Sequence, residues 1–354
     1  MFYRESGQFK TSYRADSVIF PILQDRLFVG ALLLAALVVV PALASDYLLS
    51  GILIPFLVLS LAALGLNILT GYAGQLSLGS AAFMAVGAFA TYNFMLRIPG
   101  LPLIAAMLLG GLVAAVVGVA FGLPSLRIKG FYLAVATLAA QFFIEWALTK
   151  FGWFTNYSSS GVISVSELQV FGIALDTPAS KYVFTLLVVA VLALAAKNLV
   201  RSGLGRAWMA VRDMDVAAEV IGIPMLKTKL TAFAVSSFYC GVAGSLWAFV
   251  LLGTVDPQAF DLHRSFQILF MIIIGGVGSI LGSFLGAAFI VLLPIVLNQA
   301  GQLLHGAVST SFLSNLEMMI FGGLIIFFLI VEPLGLARLW QIAKEKLRLW
   351  PFPH

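Results

Sequence analysis

The chain has 354 residues, 61% of them hydrophobic and only 10% charged, with a mean hydropathy of +1.06; a soluble domain carries roughly a quarter charged residues. A soluble globular enzyme and a disordered chain are thereby excluded, and so is a nucleic-acid binder, because the surplus of 20 basic over 15 acidic residues is only +5 and forms no patch. Long unbroken apolar runs do not fit the strand alternation of a membrane barrel, which leaves an all-α polytopic membrane protein.

A helix needs about 20 apolar residues to cross the hydrocarbon core. In chain order this predicts spans at 27–44, 47–69, 76–96, 101–123, 131–149, 182–200, 229–252, 266–297 and 315–332. With breaks allowed for, that is about 8–10 membrane-embedded helices. The first span lies too far from the N-terminus, and lacks the small-residue cleavage pattern, to be a removable signal. Cys240, the single cysteine, sits in an apolar run and cannot form an internal disulfide.

Short loops rich in Lys and Arg stay in the cytoplasm. The N-terminal arm carries Arg4, Lys10, Arg14 and Arg26, and loop 124–130 carries Arg127 and Lys129. Segment 197–229 carries Lys197, Arg201, Arg206, Arg212, Lys227 and Lys229, and the C-terminal tail carries Arg338, Lys344, Lys346 and Arg348. Stretch 151–180 holds Glu167 and Asp176 with no basic residue, and 253–265 holds Asp256, Asp261 and Arg264. These two read as outside and both termini as inside. The organisation expected is a cytoplasmic arm over 1–26, a transmembrane domain over 27–332 and a cytoplasmic tail over 333–354.

Nine full crossings cannot return the chain to its starting side. Segment 266–297 is interrupted by Gly275-Gly276-Val277-Gly278-Ser279. The stretch 266–274 before it amounts to roughly 13 Å of helix, about half a bilayer. Either a broken, re-entrant element that enters and leaves on the outer side or two short spans would restore parity. Irregular backbone at that depth is tolerated only inside protein or beside a watery cavity, so Gly275, Gly276 and Gly278 are candidates for a pathway. A tight glycine packing site is the alternative.

Between two spans, Arg201–Pro224 reads RSGLGRAWMAVRDMDVAAEVIGIP. Ala207, Trp208, Val211, Ala218 and Ile221 fall at helical spacings, while Arg206, Arg212, Asp213, Asp215 and Glu219 occupy much of the remainder. Gly222 and Pro224 supply stop signals. This predicts a short helix of mixed surface over about 203–222. It could lie on the headgroups or dock into a groove on a cytoplasmic partner.

GRAWMAVRDMDVAAEVIGI resembles the coupling-helix region of permease subunits of the branched-chain amino acid class of ABC importers, most closely the M-type of the two paired permeases. Four further blocks agree in order: LNILTGYAGQLSLGSAAFMAVGAFAT (66–91), LRIKGFYLAVATLA (126–139), KLTAFAVSSFYCGVAGSLWAF (229–249) and MIIIGGVGSILGSFLGAAF (271–289). The resemblance spans about residues 50–330. It implies a bacterial cytoplasmic-membrane subunit working with a sister permease, two ATPase subunits and a periplasmic solute-binding protein, embedded in lipid. ATP and Mg would be held by the ATPase partners and no cofactor by this chain. The resemblance also implies an ATPase contact on the 203–222 helix, with Asp213, Asp215 and Glu219 as polar contacts, Trp208 and Val211 as packing residues, and Arg206, Arg212 and Gly222 alongside. One outer loop departs from the family pattern: Asn156-Tyr157-Ser158-Ser159-Ser160-Gly161-Val162 stands where Thr-Gly-Gly often precedes a Gly-Ile step. The resemblance implies branched-chain amino acids as the cargo; that departure points instead to a related solute, such as an aromatic or other organic acid.

The chain carries no G-x-x-x-x-G-K-S/T phosphate loop. His263, His305 and His354 are scattered, with no metal-ligand spacing. No enzymatic chemistry is expected. An ion-coupled secondary transporter is the rival reading, but it needs ionisable groups within the membrane. Spans 27–44, 47–69, 76–96 and 101–123 contain none, and the carboxylates that do fall inside spans, Glu145 and Glu317 among them, lie near span ends. Thr137, Gln141 and Glu145 follow an i, i+4, i+8 spacing and so share one helix face. They are either a polar stripe on the translocation route or a run of interhelical hydrogen bonds ending at a headgroup-level glutamate. In the junction Asn67–Ser80, Asn67, Tyr72, Gln75 and Ser77 offer neutral hydrogen-bonding groups between glycines, as a weak pathway site requires. Small residues that pack spans together are the alternative. Trp153, Phe154 and Tyr157 could anchor at the outer headgroup level or meet the binding protein.

Overall fold

The computed structural model describes residues 11–12, 23–123, 131–158, 161–165, 169–170 and 173–303, scattered positions between 316 and 330, and 334–349. Arg4, Lys10, Arg14, Arg127, Lys129, Ser159, Ser160, Glu167, His305, Glu317 and His354 lie outside the described residues, as does most of the span expected at 315–332.

Two helices make the core. α2 (Leu48–Tyr72) and α9 (Met225–Leu252) are mostly buried along their length. The middle of α2 is apolar on every side, the composition of a helix surrounded by protein, and every residue from Leu57 to Asn67 is buried. The others wrap around this pair. α1 comprises Leu23–Leu34, Ala35–Val39 and Val40–Leu43 and exposes Leu27, Phe28, Val38 and Leu43, as a lipid-facing helix should. α3 (Ser80–Arg97) and α4 (Leu103–Gly122) pack on α9, with α5 (Phe131–Lys150) beside α3 and α6 (Pro178–Arg201) beside α2.

Small residues set the close approaches, since lipid supplies no hydrophobic drive between helices. A Cβ on Gly87 would meet the Gly241 backbone, and one on Gly244 would meet the Met84 carbonyl, so α3 and α9 touch backbone to backbone. Thr91 and Ser245 hydroxyls share a 2.8 Å hydrogen bond across the same seam.

After α6 come two short helices, α7 (Gly203–Asp213) and α8 (Asp215–Val220), separated by extended Met214 at φ −159, ψ 94. The expected single helix is therefore two: Met214 leaves the helical region, because the chain must turn α8 away from the bundle after Trp208 and Val211 have packed. α9 begins at Met225, so Lys227 and Lys229 belong to it, and Lys229 is buried. Beyond α9, β4 (Thr254–Val255) pairs antiparallel with β1 (Ile163–Ser164), while β2 (Gln169–Val170) pairs with β3 (Ile173–Ala174).

The glycine-interrupted segment resolves into α10 (Leu262–Gly275) and α11 (Ile280–Leu303), joined by a turn over 276–279. α10 has 14 residues, about 21 Å, short of a bilayer core of about 30 Å. The turn rests against the C-terminal end of α2 and against Arg212 of α7. The outer-side re-entrant alternative is therefore corrected: α10 runs from the β4 side to the α7 side, and α11 runs back. α12 (Gly335–Leu349) returns to the same turn, where a Cβ on Gly276 would meet the Leu334 carbonyl. The span expected from residue 76 starts at Ser80 instead, because residues 73–79 are not helical.

Candidate functional site

The N-terminus of α3 lies inside the bundle, where its first N–H groups have no water to bond. Side chains from two other helices cap them. Thr137 Oγ1 on α5 accepts from the Leu78 N–H at 2.9 Å, and Gln141 Oε1 accepts from the Ala82 N–H at 2.7 Å. Ser265 Oγ on α10 accepts from the Ala81 N–H at 2.9 Å and donates to Gln141 Oε1 at 3.0 Å. Gln141 Nε2 donates to the Phe260 carbonyl at 2.8 Å. Thr137, Gln141 and Ser265 are fully buried or nearly so. An unsatisfied backbone group in such a place would cost several kcal/mol, which is why three polar side chains sit in an apolar core.

The Asn67–Ser80 junction and the α5 stripe are therefore one constellation. Its members play different parts. Ser77 is buried and its hydroxyl accepts from the Gly79 N–H. Gln75 is buried with neither side-chain polar atom bonded to a described residue, and the Ser80 hydroxyl is in the same condition. Tyr72 is buried at the end of α2. Glu145 is half-buried one turn beyond Gln141 and its carboxylate takes no part in the network.

Asn67 is a clasp. Its Nδ2 donates to the Ser279 carbonyl at 2.8 Å and to Ser283 Oγ at 2.9 Å, and its Oδ1 accepts from the Gly278 N–H at 2.8 Å. All the capacity of this buried amide goes to holding the turn. Gly276 and Gly278 have φ of +124 and +78, values that only glycine adopts at little cost. Gly275 lies where a Cβ would meet the Gly282 backbone.

Arg212 connects this clasp to the short helices. Its Nη1 donates to the Gly71 carbonyl at 2.9 Å, and its Nε and Nη2 reach Asp213 at 2.8 Å. Trp208 is fully buried, and its indole N–H donates to the Thr228 carbonyl at 3.1 Å. Val211 is buried beside it. Arg206, Asp213, Glu219 and Gly222 are exposed and Asp215 is half-exposed.

Sequence patterning missed the apolar ridge on this surface. Met214, Val216, Val220 and Ile221 are 67%, 64%, 83% and 74% exposed. Ile221 was expected on the packed side; the break at Met214 rotates it outward, and only Ala218 of α8 is buried. A contiguous apolar ridge rimmed by Asp213 and Glu219 marks a contact with protein or membrane.

A separate groove of about 720 Å³ lies between α3, α4 and α5. It is lined by Phe89, Phe94, Phe121 and Phe143, and only Asn93 and Arg97 are polar. The polar constellation therefore faces away from it. Arg97 closes one end, its guanidinium 3.5 Å from the Trp153 ring centroid. Phe154 is half-buried and Tyr157 80% exposed.

Six of the described helices are long and apolar enough to cross a membrane, glycine-containing turns follow α2 and precede α11, and an exposed apolar ridge lies between α6 and α9. These features define a multi-pass membrane transport protein. The sequence profile of the family described as "Branched-chain amino acid transport system / permease component" matches residues 48–329, most of the chain, and the chain belongs to that family. The chain is 29% identical over 296 residues to the "High-affinity branched-chain amino acid transport system permease protein LivM" of Salmonella typhimurium, and equally to that of Escherichia coli. Each match covers 77% of this chain and 66% of the relative, so the chain spans just under two thirds of their length. It is 24% identical over 329 residues to the "Probable branched-chain amino acid transport permease protein LivM" of Methanocaldococcus jannaschii, covering 82% of this chain and 93% of that one. No solved structure matches it.

Proposed function

We propose that this chain is one permease subunit of an ATP-driven importer of the cytoplasmic membrane, with α7–α8 as the surface gripped by an ATPase partner. One observation carries the reading. The exposed ridge of Met214, Val216, Val220 and Ile221 is continuous, through Arg212, with the Gly71 carbonyl and the 276–279 turn. Displacement at the ridge is thereby delivered to two broken elements inside the membrane. ATP binding on the partners favours one arrangement of that unit over another, and this differential affinity is what shifts the permease between its open forms.

In this reading a sister permease and a solute-binding protein complete the path, and both termini face the cytoplasm with α7–α8. The cargo is a branched-chain amino acid or a related organic acid. Family membership supports the first; the departure of the 156–162 sequence from the family pattern supports the second. Affinity rests on the binding protein, and the buried neutral groups Gln75, Ser77, Thr137 and Gln141 border a passage of low affinity.

The test is uptake of radiolabelled leucine by proteoliposomes carrying the whole assembly. ATP-dependent uptake is expected in the wild type. Val220→Asp with Ile221→Asp should lower it about tenfold or more, a loss of at least about 1.4 kcal/mol of coupling, while the permease remains in the membrane. Accumulation by the isolated chain under a proton or Na⁺ gradient would overturn the reading.

A further inference from the structure

Arg264 is a cation that the proposed function leaves without a task. It stands on the first turn of α10, next to Ser265, which caps the first turn of α3. Its guanidinium lies 4.3 Å from the centroid of the Trp247 ring on α9, and its Nη1 donates to Gln267 Oε1 at 2.6 Å. A guanidinium has five N–H donors, so most remain available. Among the described residues no carboxylate lies within ion-pairing distance of it; Asp261 caps α10 by accepting from the Arg264 backbone N–H at 2.9 Å. A charge at this depth is costly unless it serves a function.

Apart from the Asp261 carboxylate, whose charge reaches the guanidinium without a direct ion pair, the surroundings share its sign. The N-termini of α3 and α10 meet here through the Ser265–Ala81 bond, and each presents the positive end of a helix dipole. Two polar atoms at this place are buried without a partner among the described residues. One is the hydroxyl of Ser80, the first residue of α3, only 1% exposed. The other is the indole N–H of Trp247, 7% exposed, on the ring that Arg264 covers. Both can donate, and no carboxylate among the described residues accepts from either. Paired half-helix N-termini inside a membrane suit the anionic group of a passing solute.

We infer that Arg264, Ser80, Trp247 and the two helix N-termini form a transient site for the carboxylate of the transported solute. Planar donation by the guanidinium fits a carboxylate in two-point fashion, and Gln267 holds the fork in place. The transport role of the site rests on the permease reading; the carboxylate site itself does not. It also separates this residue from Glu145, whose charge repels an anionic group.

The test has two arms. In the first, the purified full-length chain is heated with millimolar leucine or with 3-methylbutylamine, which is leucine without its carboxylate. Leucine should raise the unfolding midpoint of the wild type and leave that of Arg264→Gln unmoved, and the amine should move neither. In the second, the assembled importer is assayed for leucine uptake and for ATPase activity stimulated by the loaded binding protein. Arg264→Gln should lose about tenfold in uptake and keep its stimulated ATPase, while Arg264→Lys, which retains the charge, should recover part of the uptake. Equal stabilisation of wild type and Arg264→Gln by leucine overturns the site. So does unchanged uptake, or loss of stimulated ATPase in both variants, which would mark the arginine as packing for Trp247. A leucine-specific midpoint shift without ATP-driven uptake by the wild type would keep the site and remove the permease reading instead.

Discussion

Asn67 and Gln75 are both buried amides eight residues apart, and they should behave in opposite ways. Asn67 makes three strong hydrogen bonds to the 276–279 turn and to α11. Asn67→Ala leaves buried backbone groups unpaired, at about 1–3 kcal/mol for each group, and should lower the unfolding midpoint of the purified chain sharply. Gln75 has neither polar atom bonded, so Gln75→Leu should be neutral or stabilising in the same melt. A larger loss in Gln75→Leu than in Asn67→Ala would reverse these assignments. Residue types were legible in the sequence at both positions and partners were not. The bonds of Asn67 span more than two hundred residues, and no local pattern encodes them. Helical periodicity did bring out Thr137 and Gln141, because an i, i+4 spacing places both on one helix face; that the face meets α3 is seen only in the structure.

Among the elements, the seam between α3 and α9 is built on Gly87, Gly241 and Gly244, with backbone where side chains would otherwise stand. Gly244→Leu, whose side chain would run into the Met84 backbone, should force the two helices apart and destabilise by about 1–3 kcal/mol, the range of overpacked cores. Gly30→Ala on α1, where nothing stands within 4 Å, should be silent in the same thermal denaturation. Hydropathy located the helices of this bundle within a few residues, since about 20 apolar residues in a row admit little else. It failed at two kinds of place. Residues 76–79 are read as the start of a span, yet the chain is not helical from 73 to 79, with Gly74 at φ +68. The single amphipathic helix drawn over 203–222 breaks at Met214, whose extended backbone no propensity announces.

For the whole molecule, the sidedness of the bundle is the property most open to direct measurement. Cys240 is buried in the core, so it gives little background to a water-soluble thiol reagent. Ile221→Cys should react with a membrane-impermeant maleimide in inside-out vesicles and stay unlabelled in spheroplasts. Tyr157→Cys should show the reverse. Labelling of both from the same side would contradict this sidedness. The basic residues of segment 197–229 are the ground for expecting it. The turn at 276–279 was not readable in the same way, since the hydropathy of 266–297 hides it.

That turn is held by Asn67 of α2, abuts α12 through Gly276, and lies beside the Gly71 carbonyl that Arg212 grips. Four elements distant in sequence are thus bolted to one knuckle. With the four pinned to one point, a shift of any one of them is carried to the others rather than absorbed by local bending.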